Sequence, residues 1–277
     1  MAEITAAAVK SLRDRTGLPM MKCKQALEKA GGDEVLAIEE IRKAGKEKIV
    51  ERQDRETAFG RFGLFASTKE KSGAMVEVKC ESAPVAGHAE FVQFATDLAK
   101  QLATGPGAKT GDELLAQPSP SAKGMTLQQQ KEDLFNRMGE VFNVGRIVRF
   151  DGPCGGYTHF SSTVSGVLVQ IEGGNDEAAK DVAMHIAAMK PTVLVKEDLD
   201  PAAVAKEKEI LTAAARTEGK PENILEKMVE GRMRNFYSQH VLLEQPYIKD
   251  DKQSIEKYAK SHGMKIVRYV HWELGVE

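Results

Sequence analysis

The stretch Ser72-Gly73-Ala74-Met75-Val76-Glu77 returns in altered form as Ser165-Gly166-Val167-Leu168-Val169-Gln170. Each copy leads from small turn residues into an apolar run, the pattern of a buried strand. A second pair follows the first. Phe94-Ala95-Thr96-Asp97-Leu98-Ala99 lies after one copy and Val182-Ala183-Met184-His185-Ile186-Ala187 after the other. Both carry apolar residues at helical spacing. The same strand-then-helix order met twice implies two related α+β halves. Chance likeness between short amphipathic elements is the competing explanation.

Around the first copy, residues 61–65 and 74–80 read as strands paired across a turn at 69–73. The helix that follows shows Phe91, Phe94, Ala95, Leu98 and Leu102 on one face. Residues 105–124, rich in Gly, Pro and Ser, read as a surface loop. Thr126 caps a helix expected to run through Leu134, Met138 and Val141. Around the second copy, strands near 147–150 and 157–160 precede one at 164–171. Gly173-Gly174 turns the chain, Asn175 caps a helix, and Lys190-Pro191 ends it. A last strand at 265–273 is expected to complete the second sheet.

Two further units flank this core. Before it, Thr5 caps a helix carrying Val9 and Leu12, which stops at Thr16-Gly17. A second helix, from Pro19 to about Ala30, carries Met20, Cys23 and Leu27. Asp33 caps a third, with Val35, Ile38 and Ile41 on its apolar face and Gly45 after them. The charged stretch 46–56 continues that helix or links it onward. Within the second half, Asp200-Pro201 opens a helix with Val204, Ile210 and Leu211. Gly219-Lys220-Pro221 then turns into a helix with Ile224, Leu225, Met228, Val229, Met233 and Phe236. This predicts an antiparallel helical hairpin whose stripe is first a seam between its own helices. Its outer face is left for a partner or for a second copy of the chain in a homodimer.

Composition excludes several classes. Hydrophobic residues make up 42% of the 277 residues and charged ones 29%, as in ordinary globular chains. A net charge of −2 gives no global field for nucleic acid. No apolar run approaches a membrane span, and the N-terminus lacks a signal-peptide core, so a cytoplasmic protein is expected. Cys23, Cys80 and Cys154 are too scattered for a metal site or disulfide framework. The first two are expected as small buried residues and Cys154 as an incidental loop residue.

Chemistry is hard to find in this chain. It holds no P-loop, dinucleotide fingerprint or zinc spacing, so no enzyme activity, cofactor or metal is expected. His88, His159, His240 and His262 read as surface or loop residues, and His185 as a satisfied structural histidine. His271 alternates with Val270 and Trp272 in the last strand, which gives one face to water. Gly173-Gly174 before a helix is a weak anion signal, and a plain strand-to-helix turn is the stronger reading. Three stretches carry more than scaffolding requires. In 12–27, LRDRTGLPMMKCKQAL, two methionines open a helix, and so small a unit has room in its core for only one. The loop Glu81-Ser82-Ala83-Pro84-Val85-Ala86 leaves a strand and should protrude. In Glu226-Lys227-Met228-Val229-Glu230-Gly231-Arg232-Met233, a glycine interrupts a good helix, with close helix packing as the alternative.

Together these stretches resemble the elongation factor Ts family, the nucleotide-exchange factors of elongation factor Tu. The N-terminal stretch 12–27, Met184-His185-Ile186-Ala187-Ala188-Met189-Lys190-Pro191, GKPENILEKMVEGR at 219–232, and Leu243-Glu244-Gln245-Pro246 carry the likeness in the family's order. The resemblance implies an α+β fold of four parts. These are a ubiquitin-associated-like three-helix module at 1–55, a core N-subdomain at 56–145, a core C-subdomain at 146–199 and 241–277, and the helical-hairpin insertion at 200–240. It implies that Arg13, Met20, Met21 and Lys24 touch the GTPase, and that His185 lies at the core's contact surface. It implies as partner the GDP form of elongation factor Tu, whose magnesium and phosphate contacts the factor loosens. One departure stands out. The family usually has Thr-Asp-Phe after the first repeat's strand, with Asp and Phe intruding beside the partner's magnesium. Here the place reads Ser82-Ala83-Pro84, followed by Val85, with neither a carboxylate nor an aromatic wedge. The sequence also ends at Glu277, without the extended C-terminal helix of some members.

Overall fold

A computed structural model describes residues 4–52, 54–217 and 222–276. The turn expected at Gly219, Lys220 and Pro221 lies outside the described residues. Thr5 accepts from the Ala8 N–H at 3.2 Å and opens α1 (Ala6–Thr16). Gly17, at φ 69°, closes that helix in a left-handed cap. α2 (Met20–Lys29) follows, and Asp33 opens α3 (Glu34–Glu51) by accepting from the Val35 and Leu36 N–H groups. The three helices pack around Val9, Leu12, Leu18, Cys23, Leu27 and Ala37. α3 runs on through Gly45 into the charged stretch, the first of the two readings given for it, but Val35, expected on the apolar face, is exposed. Ala37, Ile41 and Gly45 recur every fourth residue and set the inward stripe, which leaves Val35 to one side. Asn136 packs so closely on Gly45 that a Cβ there would lie 2.2 Å from its Oδ1.

The first half contains β1 (Phe59–Phe65), β2 (Ser72–Cys80), α4 (Ala83–Ala86), α5 (Ala89–Thr104), α6 (Gly111–Leu115), α7 (Leu127–Met138) and β3 (Asn143–Asp151). β2 is the central strand, antiparallel to β1 and β3. α5 covers the sheet with Phe91, Phe94, Leu98 and Leu102 fully buried. The segment 105–124 is more than a surface loop, because α6 drives Leu114 and Leu115 into the same core. It is tied down by buried Asp97, which accepts from Gln93, Gln130 and Ser121. α7 starts with a capping box between Thr126 and Gln129 and ends at Gly139, so Val141 is buried beyond the helix. β3 was expected with the second half. It pairs instead with β2, Met75 opposite Val148 and Val76 opposite Ile147. A central strand needs a neighbour on each side to satisfy its backbone, and β3 is the one within reach.

The second half contains β4 (Cys154–Phe160), β5 (Val164–Gly173), α8 (Asp176–Met189), α9 (Pro201–Thr217), α10 (Glu222–His240), β6 (Pro246–Tyr247), β7 (Asp250–Ser254), α11 (Ile255–Ser261) and β8 (Met264–Glu273). β5 lies between β4 and β8, so both Ser-Gly repeats open a central strand. Asn175 caps α8 by accepting from Ala178 at 2.9 Å, and Lys190, at φ 48°, ends it before Pro191. α9 and α10 pack on each other through Leu211, Ala215, Leu225, Val229, Met233 and Phe236. Ile210 and Ile224 face away and are exposed. Close packing does not explain Gly231, since nothing lies within 4 Å of the place its Cβ would take.

The two sheets pack face to face over Phe62, Met75, Phe150, Cys154 and Leu168. Here the repeated glycines have a shared purpose. A Cβ on Gly73 would lie 2.6 Å from Cys154 Cβ, and one on Gly166 would lie 2.6 Å from Met75 Sδ. Each repeat thus clears space for the other half. Cys154 is therefore no incidental loop residue but part of the inter-sheet core, and burial pushes its thiol up to about 11.

Candidate partner-binding surfaces

The first surface is the start of α2. Leu18, in the turn before the helix, is buried, and its carbonyl accepts from the Cys23 thiol at 3.6 Å. It belongs to the small core of the three helices. Met20 is 42% exposed and Met21 64%. The expectation that one methionine would be buried is therefore wrong, and both project from a rigid turn. Arg13 and Lys24 flank them with half-exposed side chains paired to Asp14 at 3.0 Å and Glu28 at 3.7 Å. Such surface pairs are worth about 0–1 kcal/mol, so an incoming acidic group can replace either partner.

The second surface follows β2. Residues 83–86 do not form an open loop. They close one helical turn, α4, with Ala83 and Pro84 exposed at its tip. Its base is fastened on three sides. The Ser82 N–H and hydroxyl both donate to Glu140, at 3.1 and 2.5 Å, and Ala86 is buried. The Ala86 carbonyl accepts from Arg61 at 3.1 Å, and Val85 packs against the first core. Glu81 accepts from the Val141 N–H and pairs with Arg55 at 3.0 Å. The tip is thus small, apolar and stiff.

The third candidate, His185, is not at a surface. It is fully buried in α8. The Ile248 N–H donates to its Nδ1 at 3.2 Å, so Nδ1 is bare, and Nε2 carries the proton toward Gln245 Oε1 at 2.9 Å. Gln245 in turn donates to the Gln239 carbonyl at 3.1 Å. Burial lowers the His185 pKa by penalising the charged ring, and the bond to Gln245 opposes that shift. A direct partner contact by His185 is excluded in this structure. It fixes the segment that displays Ile248, whose side chain is exposed. His185 is thus the satisfied structural histidine expected from its helix, and not the contact residue that the resemblance implies. Its partners lie about sixty residues along the chain, so the sequence did not identify them. His271 also differs from expectation. Its face is largely covered, and burial lowers its pKa.

Two exposed aromatics went unnoticed in the sequence. Phe59 at the start of β1 is 45% exposed, and Phe160 at the end of β4 is 44% exposed. Each sits at the end of an otherwise ordinary strand, so periodicity gave no sign of them. Among the described residues, no helix is long and apolar enough to cross a membrane.

Residues 81–276 match the family model described as Elongation factor TS. Elongation factor Ts of Methylococcus capsulatus is 43% identical over 275 residues, spanning 98% of this chain and 92% of that protein. The chain belongs to the elongation factor Ts family. Elongation factor Ts proteins of Nitrosomonas eutropha and Azoarcus sp. are 37% and 38% identical, each over 277 residues and across 99% of this chain and 92% of theirs. Membership makes it a translation elongation factor, of the nucleotide-exchange kind, acting in protein biosynthesis. The family implies elongation factor Tu as its partner.

Proposed function

We propose that this elongation factor Ts family member binds elongation factor Tu in its GDP form in the cytoplasm and promotes release of GDP, so that GTP can enter. In this reading residues 1–55 are a ubiquitin-associated-like docking module, 56–151 the core N-subdomain now including β3, 152–199 and 241–277 the core C-subdomain, and 200–240 an antiparallel hairpin. Arg13, Met20, Met21 and Lys24 dock on the GTPase domain. The tip formed by Ser82, Ala83, Pro84 and Val85 lies against the partner's magnesium and phosphate site. His185 acts indirectly, by holding Ile248 at the core's contact surface. The outer face of the hairpin, with Ile210 and Ile224, serves the partner or a second copy.

The observation that carries the reading is the exposure of both methionines on a pinned helix start in a chain of this family. Unbranched, polarizable side chains held out to water cost solubility, and binding compensates for it.

No catalytic group is needed for such work. A protein that prefers the nucleotide-free or magnesium-free state shifts the equilibrium by its differential affinity. Each contact made only in that state contributes about 1–3 kcal/mol, or about 5–150-fold. The tip lacks a carboxylate to compete with magnesium ligands and an aromatic to insert, so exchange relies on the bulk and rigidity of Pro84. The same feature favours a second reading, a holding partner that binds without exchanging nucleotide.

Stopped-flow release of labelled GDP from elongation factor Tu separates the two. Acceleration at saturating protein supports exchange, and normal binding with flat release kinetics supports holding. The Ala83→Asp/Pro84→Phe double variant should raise the release rate. An unchanged or lower rate would reject the assignment of the tip.

A further inference from the structure

Phe160 ends β4 at the turn into β5, and Phe59 begins β1. Both residues line one cleft of about 450 Å³, together with Ala83 and Ala86 of the α4 turn and with Leu274. A Cβ built on Gly87, just after the tip, would lie 3.9 Å from Phe160 Cε1. Exposed strand ends normally carry polar residues, and two half-bare phenylalanines around one cleft form an apolar patch.

Phe160 is braced. The Arg61 guanidinium lies 4.7 Å from its ring centroid and donates to the Ala86 carbonyl at 3.1 Å. One side chain therefore ties the second half's aromatic to the first half's tip. The brace spans two sheets whose spacing is set by Gly73 and Gly166. A stiff aromatic loses little entropy on docking, which is why such residues anchor interfaces.

Charge decides the kind of occupant. Glu273 is the cleft's charged lining residue, and Lys190 pairs with it. No Lys or Arg lines the cleft, and the two cations beside it are engaged, Arg61 with Phe160 and the Ala86 carbonyl and Lys190 with Glu273, so a phosphate backbone is disfavoured. Apart from Glu273 and the neutral Ser161, Ser162 and Thr163, the rest of the lining is apolar around Phe59 and Phe160, which suits an uncharged protein surface, and the cleft is continuous with the tip through Ala83.

We infer that Phe160, with Phe59 beside it, is the aromatic anchor of the magnesium-side contact, and that it seats an apolar patch of the GTPase's nucleotide-binding domain next to the bound diphosphate. This inference rests on the proposed exchange reading. Phe160 supplies from the second half the aromatic that the tip itself lacks.

The test uses the full chain and elongation factor Tu loaded with labelled GDP. Phe160→Ala should weaken binding at least tenfold by titration and slow release at sub-saturating protein by a similar factor. Phe160→Leu, which keeps apolar volume, should fall between. Lys100→Ala, at an exposed residue of α5 outside the proposed contact surfaces, should match wild type. As a second readout, Phe160→Trp should show a blue shift on adding the GTPase, after subtraction of the Trp272 signal measured in wild type. If wild type accelerates release and Phe160→Ala does so equally well, or if the Phe160→Trp emission stays unchanged on binding, the inference falls while the exchange reading stands. If wild type neither binds nor accelerates, the exchange reading falls and this inference with it. Should Phe160→Ala leave exchange untouched but turn a dimer into a monomer in sedimentation, the face belongs to a second copy and the inference is overturned.

Discussion

Gly166→Ala tests the inter-sheet packing on which every surface described above depends. The added methyl would lie 2.6 Å from Met75 Sδ, 2.8 Å from Phe62 Cγ and 3.0 Å from Phe62 Cβ. Ordinary contact between such atoms is about 3.5–4.0 Å, so both neighbours must move. Met75 is fully buried and Phe62 nearly so, which leaves them nowhere to go. Overpacking of this kind costs about 1–3 kcal/mol, offset by about 0.4–1 kcal/mol from the stiffer unfolded chain. The net loss should be about 1–2 kcal/mol, or a melting point about 2–8 °C lower.

The matching control is Gly231→Ala. It makes the same chemical change in an exposed helix with nothing within 4 Å of the new methyl. It should stabilise by about 0.5–1 kcal/mol through helix propensity. Urea unfolding at 25 °C followed by circular dichroism measures both. Opposite signs are expected. A Gly166→Ala protein as stable as wild type, or two shifts of the same sign, would refute the close-approach argument. GDP release assays on the same Gly166→Ala protein should show weaker acceleration, because the tip on the first half and Ile248 on the second would no longer keep their spacing.

Two other predictions follow from burial. Met20→Ala and Met21→Ala remove exposed side chains, so stability should stay within about 0.5 kcal/mol of wild type. Affinity for elongation factor Tu should fall by at least tenfold for the pair in calorimetric titration, and unchanged affinity would remove α2 from the docking surface. His185→Gln should lose about 1–3 kcal/mol at pH 7.5, because the Ile248 N–H loses its acceptor. The wild-type histidine has a folded pKa held below the unfolded value of about 6.5. The unfolded chain therefore takes up the proton first. Stability is full above about pH 6.5 and declines as pH falls through that value toward the folded one, by at most about 1.4 kcal/mol per pH unit. His271 shifts in the same direction and adds to the slope. Between pH 7.5 and 5.5 the His185→Gln protein should lose less stability than wild type, and equal losses would show that His185 is not the titrating group.

Much of the architecture is written in short-range chemistry. Thr5, Asp33, Thr126 and Asn175 cap helices as expected, because a cap is decided by residues two or three positions apart. The duplicated Ser-Gly strands were legible because both halves need a small residue where the sheets meet, and the family motifs were long enough to carry the function class. What escaped the sequence depended on distant residues. β3 lies with β2 because β2 had an open side, and β8 fills the corresponding place in the other sheet from the far end of the chain. Met20 and Met21 are exposed, while Leu18 just before them is buried in the three-helix core. Cys154 is buried because Gly73 admits it. His185 is the satisfied structural histidine read from its helix and not the contact residue that the resemblance implied, and Gln245 and Ile248, which satisfy it, come from far along the chain. The sequence by itself determined which elements form and which family they serve. Only the tertiary structure decided which side chains are left for a partner, because exposure is a property of what packs against a residue and not of the residue.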